Sequence, residues 1–309
     1  MSGIKIIKIK PEDDGIRLNR WFLREYPALS LGRLQKLLRT KQIKVDGKRA
    51  ETSTRLLAGQ EVRLPPLDNE KAVPVQKTIS QNDVEYVLSM VIYKDKNIIV
   101  LNKPSGLAVQ GGTNTTRHVD GFLEALKFEN AEKPRLVHRI DKDTSGLLVL
   151  ARNRQTAETL TKAFREHDLQ KTYLALTRGC PDRFEGEINL PLEKIGERVQ
   201  VVSDGKKAVT TYKVLDNAGK KYALIEASPL TGRTHQIRAH LEALGTPILG
   251  DAKYFGSERY RSSEVADKLY LHAYKIDLSS IYGKKMLLKA EPPKHFVEAC
   301  QFFGLEIEK

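Results

Sequence analysis

The chain has 309 residues, with 52 Lys and Arg against 39 Asp and Glu, a net charge of +13. An apolar fraction of 40% supports a packed core and excludes a disordered chain, and no apolar run reaches the roughly 18 residues of a membrane span. The two cysteines, Cys180 and Cys300, stand far apart without metal-ligand spacing, which excludes a disulfide scaffold or a zinc finger. The N-terminal stretch lacks the apolar core and cleavage site of a secretory leader. A cytoplasmic protein without a membrane partner is therefore expected, and its positive charge suits a polyanion. Length suggests two domains.

Residues 1–65 hold 15 basic and 7 acidic residues, a net +8. Between Ser30 and Arg49 the cations Arg33, Lys36, Arg39, Lys41, Lys44, Lys48 and Arg49 face one acid, Asp46. Leu31, Leu34, Leu37 and Leu38 recur at helical spacing, with Arg33 and Lys36 off the stripe and Ser30 placed as an N-cap. Ile43 to Lys48 reads as a short strand closing on an Asp-Gly turn. A basic helix face and a basic turn fit a phosphate backbone. A solvated charged helix in an ordinary domain is the competing reading, and the pattern does not separate the two. Pro65 to Glu70, Pro74 and the polar run Ser80–Asp83 read as a connector, dividing the chain into 1–78 and 79–309.

The larger part mixes strand and helix signals, which suggests α+β or mixed α/β. Asn97–Leu101 is a strand ending at the turn cluster Asn102–Gly106. Leu136–His138 and Leu147–Ala151 are short apolar runs flanking a polar turn. Asn153–Glu166 carries Ala157, Leu160 and Phe164 on one helical face, and Thr172–Thr177 alternates as a strand. A helix is expected from Thr231, with Ile237, Leu241 and Leu244 on one face and Gly245 ending it.

Two stretches carry chemistry. In Arg135–Gly146, Asp141 neighbours His138, Arg139 and Lys142; nearby guanidinium favours the ionised carboxylate, which can serve as nucleophile, base or metal ligand. Asp143, with Thr144 and Ser145, suits a local side-chain-to-backbone turn. Asp141 and Asp143 also have a possible metal-binding spacing, but no third carboxylate or EF-hand pattern follows. In Thr231–His240, the cations Arg233, His235 and Arg238 sit at the start of the expected helix, against its dipole. Residues that break a local rule are functional suspects, although surface arginines on solvent are the plainer reading. His235 and His240 are poorly spaced for zinc.

Together these runs resemble the RluA-type pseudouridine synthases. "HRIDKDTSGLLVLAR" is similar to the family's catalytic signature, "KTYLALTRG" to its tyrosine motif and "GRTHQIRAHL" to its arginine motif. "YKDKNIIVLNKPSGLAV" and "LHAYKIDL" resemble the opening and closing motifs, so the likeness spans about Val91 to Glu291. Ile140 stands where the family more often has Leu. Leu18 to Val62 resembles an S4 domain. The resemblance implies a small S4 RNA-binding domain before a mixed, largely antiparallel sheet with flanking helices. It also implies isomerisation of uridine to pseudouridine without cofactor or metal. Asp141 would be the catalytic aspartate, acting as nucleophile or as base at the 2′ position. Tyr173 would stack under the base, and Arg233 would pair with Asp141. Arg139, His138, Lys103 and Ile237 would contact substrate. Arg33, Lys36, Arg39, Lys41, Lys44 and Lys48 would hold RNA. An S4 domain in front of this domain is similar to the branch acting on large-subunit ribosomal RNA, the expected partner, met before or during ribosome assembly. Two other readings remain open: a non-catalytic RNA-binding protein, and a metal-dependent nuclease using Asp141 and Asp143.

Overall fold

Ser30 accepts a hydrogen bond from the Arg33 amide at 3.3 Å, so the helix begins where its cap predicts. In the computed structural model, residues 4–26, 28–67, 79–112, 115–255 and 265–307 are described. They belong to two units, Met1–Thr78 and Ile79–Lys309.

The first unit comprises β1 (Lys5–Lys8), α1 (Leu18–Glu25), α2 (Leu31–Arg39), β2 (Lys44–Val45) and β3 (Glu61–Leu64), with sheet order β1-β3-β2. Trp21, Phe22, Leu34, Leu38 and Val62 form its core. Leu31, expected on the apolar stripe, is exposed instead: at the first position of α2 it falls beyond the reach of that core. Asp46 (φ 47°) and Gly47 (φ 71°) make the turn after β2, and both need the left-handed region of a two-residue hairpin. Arg33, Lys36, Arg39, Lys41 and Lys48 are exposed, and Lys44 is half-buried.

Part of the expected connector is a helix. Ser80 caps α3 (Gln81–Leu88), its hydroxyl accepting from the Asp83 amide at 3.2 Å. The remaining connector residues 68–78, Pro74 included, lie outside the described residues.

After α3 come β4 (Val91–Lys94), β5 (Ile98–Lys103), α4 (Val119–Phe122), β6 (Arg135–Leu136), β7 (Ser145–Ala151), α5 (Arg154–Glu166) and β8 (Lys171–Arg178). Then follow β9 (Glu185–Asn189), the hairpin β10 (Leu192–Ile195) and β11 (Arg198–Val201), β12 (Val209–Ala218), β13 (Tyr222–Pro229) and α6 (Gln236–Ala243). The C-terminal part holds β14 (Leu271–Asp277), α7 (Ser279–Tyr282), β15 (Leu287–Lys289) and α8 (Lys294–Phe302). One mixed sheet runs β4-β5-β7-β14-β8-β13-β12-β9, with β6 on β7 and β15 on β14. Every residue of β7 is buried, so its continuous apolar run marks a strand covered on both faces.

Among the described residues the pairs of this sheet are antiparallel except β7 with β14, which run parallel through Ser145–His272 and Gly146–Ala273. This junction lies directly after the Asp141 turn. Gly146 has φ 105°, and any Cβ there would run into the Ala273 carbonyl. A side chain at position 146 would push β14 away.

Candidate active site

The Asp141 turn leaves β6 and enters β7, and buried polar groups fix its shape. The Lys103 Nζ donates to the carbonyls of Pro104 (2.9 Å), Leu107 (2.7 Å) and Lys142 (2.9 Å). The Ser105 hydroxyl donates to the Asp143 carbonyl at 2.7 Å. His272 Nε2 lies 2.9 Å from the Ala290 carbonyl, which can only accept, so Nε2 carries the proton. Its Nδ1 is then the acceptor for the Ser145 hydroxyl at 2.9 Å. Burial holds His272 neutral, with a pKa near 4.

The second wall comes from α6 and the loop before it. The helix begins at Gln236, five residues after the expected Thr231. Gln236 explains the delay. Its Oε1 accepts from the Thr231 hydroxyl (2.6 Å) and the Arg233 amide (3.0 Å), while its Nε2 donates to the Val209 carbonyl (2.8 Å). The loop is thereby tied to β12 instead of winding into helix. His235 then takes a left-handed conformation, φ 51°.

This arrangement changes which arginine meets the aspartate. Arg238 Nη1 lies 3.2 Å from Asp141 Oδ2. Its Nε and Nη2 grip the buried Asp251 at 2.7 and 2.8 Å, a bidentate pair. Burial opposes the charge on Arg238, but the two carboxylates outweigh it and raise its pKa. Arg233, expected to pair with Asp141, is exposed and donates through Nε to the Lys207 carbonyl at 3.0 Å. The late helix start leaves it on the loop, outside the helical face that carries Arg238.

His235 supports the same carboxylate. Its Nε2 lies 3.7 Å from Asp141 Oδ2, and its Nδ1 lies 3.0 Å from the Tyr254 hydroxyl. That hydroxyl already accepts from the Val199 amide at 2.9 Å. Burial lowers the His235 pKa despite the nearby Asp141 charge. Asp141 Oδ1 has no protein partner among the described residues.

Asp141 lines a cavity of about 380 Å³, together with Arg139, Tyr173, Arg233, Ile237 and Arg238. Tyr173 projects from β8; burial and the Asp141 charge raise its pKa, so it stays protonated. Arg139 is exposed at this cavity, and Ile237 is a buried wall residue. One expected substrate contact is corrected. Lys103 is fully buried and holds the turn from behind without lining the cavity. His138 does line it, as part of the wall. Its Nε2 accepts from the Val149 amide at 2.8 Å, its ring stacks on Phe164 at 4.1 Å, and burial pushes its pKa to about 3. Asp143 is exposed, and no group of three or more His, Cys, Asp or Glu suited to a metal occurs among the described residues.

Sequence reasoning marked Arg238 and His235 as suspects without giving either a role at Asp141, and it missed Tyr254 and Asp251. A cation in the first turn of a helix was the available signal for Arg238. Asp251 carried none, because its partner lies across a loop.

A family model described as RNA pseudouridylate synthase matches residues 97–243. Ribosomal large subunit pseudouridine synthase C of Rickettsia bellii is 39% identical over 292 residues, covering 91% of this chain and 95% of its own. The protein of that name from Escherichia coli is 37% identical, covering 88% and 87%. The chain belongs to the RluA family of pseudouridine synthases. Among solved structures, human RNA Pseudouridylate Synthase Domain Containing 4 superimposes with a TM-score of 0.63 at 28% identity, over 73% of this chain and 97% of that one. This pseudouridine synthase is therefore an isomerase acting on RNA, with a mixed α+β fold.

Proposed function

We propose that this RluA-family enzyme converts particular uridines of large-subunit ribosomal RNA to pseudouridine, with Asp141 as the catalytic carboxylate. The observation that carries the reading is the asymmetry of Asp141: Oδ2 is held by Arg238, while Oδ1 has no protein partner among the described residues at a cavity of nucleoside size. Arg238 orients the carboxylate, the role expected of Arg233. Oδ1 attacks C1′ or removes the 2′ proton; either course releases uracil, which turns and rejoins through C5 as the Oδ1–C1′ bond breaks or the 2′ proton returns, and C5 then gives up its proton. Tyr173 packs under the base, and Ile237 and the His138–Phe164 stack form apolar walls. A base within a helix cannot reach this cavity, so the target uridine is flipped or already looped out. Arg139, exposed at the cavity, contacts the RNA around the vacated position.

The ribosomal assignment draws on the names of the relatives and on the first unit. That unit serves as an S4-like RNA-binding domain, laying Arg33, Lys36, Arg39, Lys41, Lys44 and Lys48 on phosphates. The enzyme works in the cytoplasm on RNA before or during ribosome assembly. Asp141→Asn tests the reading: pseudouridine formation should fall at least 10³-fold with RNA affinity retained. Turnover above that level would remove Asp141 from the chemistry. Mapping pseudouridines in total ribosomal RNA with and without the gene tests the substrate.

A further inference from the structure

Lys171 stands two residues before Tyr173 on β8, and strand alternation puts both side chains on one face. Both line the Asp141 cavity. Lys171 is half-buried, and its ammonium has no hydrogen-bond or ion-pair partner among the described residues. Burial alone displaces its pKa downward; no carboxylate opposes it. Its charge also weighs against protonation of His138 and His167. Partial burial thins the water around this ammonium, and no protein acceptor among the described residues replaces what is lost. A ligand that brings the acceptor offsets that loss.

The reaction generates such an acceptor. When the C1′–N1 bond breaks, its electron pair leaves with N1 and is shared with O2 and O4, so uracil departs as a monoanion. This holds whether Asp141 adds to C1′ or takes the 2′ proton. Tyr173 feels the Asp141 charge, and Lys171 lies one strand repeat further along. That repeat is roughly 7 Å, a gap that the flexible lysine stem can close toward a ring packed on Tyr173. We propose that the Lys171 ammonium binds a carbonyl oxygen of the target uracil and stabilises the negative charge the ring acquires as the glycosidic bond breaks. The charge is fixed in place before the reaction, which makes this kind of stabilisation effective.

The proposal rests on uridine isomerisation at Asp141, and its test separates the two. Lys171→Met keeps the alkyl stem and removes the charge. Single-turnover consumption of the target uridine should slow by about 10²-fold or more, with RNA affinity within about twofold and thermal stability undiminished. RNA carrying 5-fluorouridine at the target supplies a ring that bears negative charge more easily, so there the loss should shrink at least tenfold. Lys171→Arg should recover part of the rate. An equal loss on both substrates would reduce Lys171 to a structural role. An unchanged rate with weaker binding and a flatter salt dependence would make it a phosphate reader. Either result overturns the proposal. Asp141→Asn should be inactive on both substrates. Activity there would sink the aspartate assignment, whereas a silent Lys171→Met beside a dead Asp141→Asn would sink only the lysine.

Discussion

Arg238 joins Asp141 to Asp251: one guanidinium nitrogen lies 3.2 Å from the first, and the other two clamp the second at 2.7 and 2.8 Å. Lysine cannot reproduce this three-point geometry. Arg238→Lys should lower turnover by about 10²-fold, the scale on which a displacement of 1 Å acts. Arg238→Ala should also destabilise the fold by about 3–5 kcal/mol, since Asp251 would stay buried without its cation. Arg233→Lys should keep activity within a few fold, because Arg233 is exposed and bonds only a carbonyl. A reversed order of effects in parallel kinetic assays would return the pairing role to Arg233.

Gly146 cannot accept a side chain. Its φ of 105° and the Ala273 carbonyl both oppose a Cβ. Gly146→Ala should cost about 3 kcal/mol or more and reduce activity with it. Urea unfolding measures the first quantity. A variant of wild-type stability would mean that β14 can move aside freely.

Lys103 gives a pH signature. Burial pulls its pKa from 10.5 to about 7, although Asp143 and Asp141 act in the other direction. Between those values the unfolded chain binds a proton that the folded enzyme lacks, so the free energy of unfolding rises with pH, by up to about 1.4 kcal/mol per unit. The penalty of the buried charge is complete below pH 7 and fades toward pH 10. Lys103→Met lacks this dependence. The stability of the wild type minus that of the variant should therefore climb from pH 7 to pH 10 in urea titrations. A flat difference would show that Lys103 titrates near its ordinary value.

The basic face of α2 and the turn after it are tested by salt. Replacing Lys36, Arg39 and Lys41 together with alanine should weaken binding to ribosomal RNA. It should also reduce the slope of log affinity against log salt by roughly 0.9 for each duplex phosphate no longer neutralised. All three are exposed, so folding should be unaffected. An unchanged slope would place the RNA elsewhere on the enzyme.

The Asp141 turn between two strands was legible in the sequence because its motif is contiguous. The Ser30 cap and the Asp46–Gly47 turn were legible for the same reason. Arg233 and Arg238 were not separable, since the choice depends on Gln236 reaching across to Val209 and delaying the helix. The hydrogen bond of His138 to the Val149 amide was not legible, because that amide is recruited only when β7 folds back beside it. Lys103 was misread because lysine is rarely fully buried, and its three carbonyl partners come from two separate turns. Ser80–Asp83 read as a connector because polarity masked a helix cap.

The parallel seam between Gly146 and Ala273 also sets an order of events. The turn that presents Asp141 is braced by a strand near the other end of the chain. During synthesis the aspartate emerges before its brace, since Ser145 and His272 are 127 residues apart. A nascent chain therefore has no finished cleft. The cleft is complete only once β14 has left the ribosome and docked beside β7.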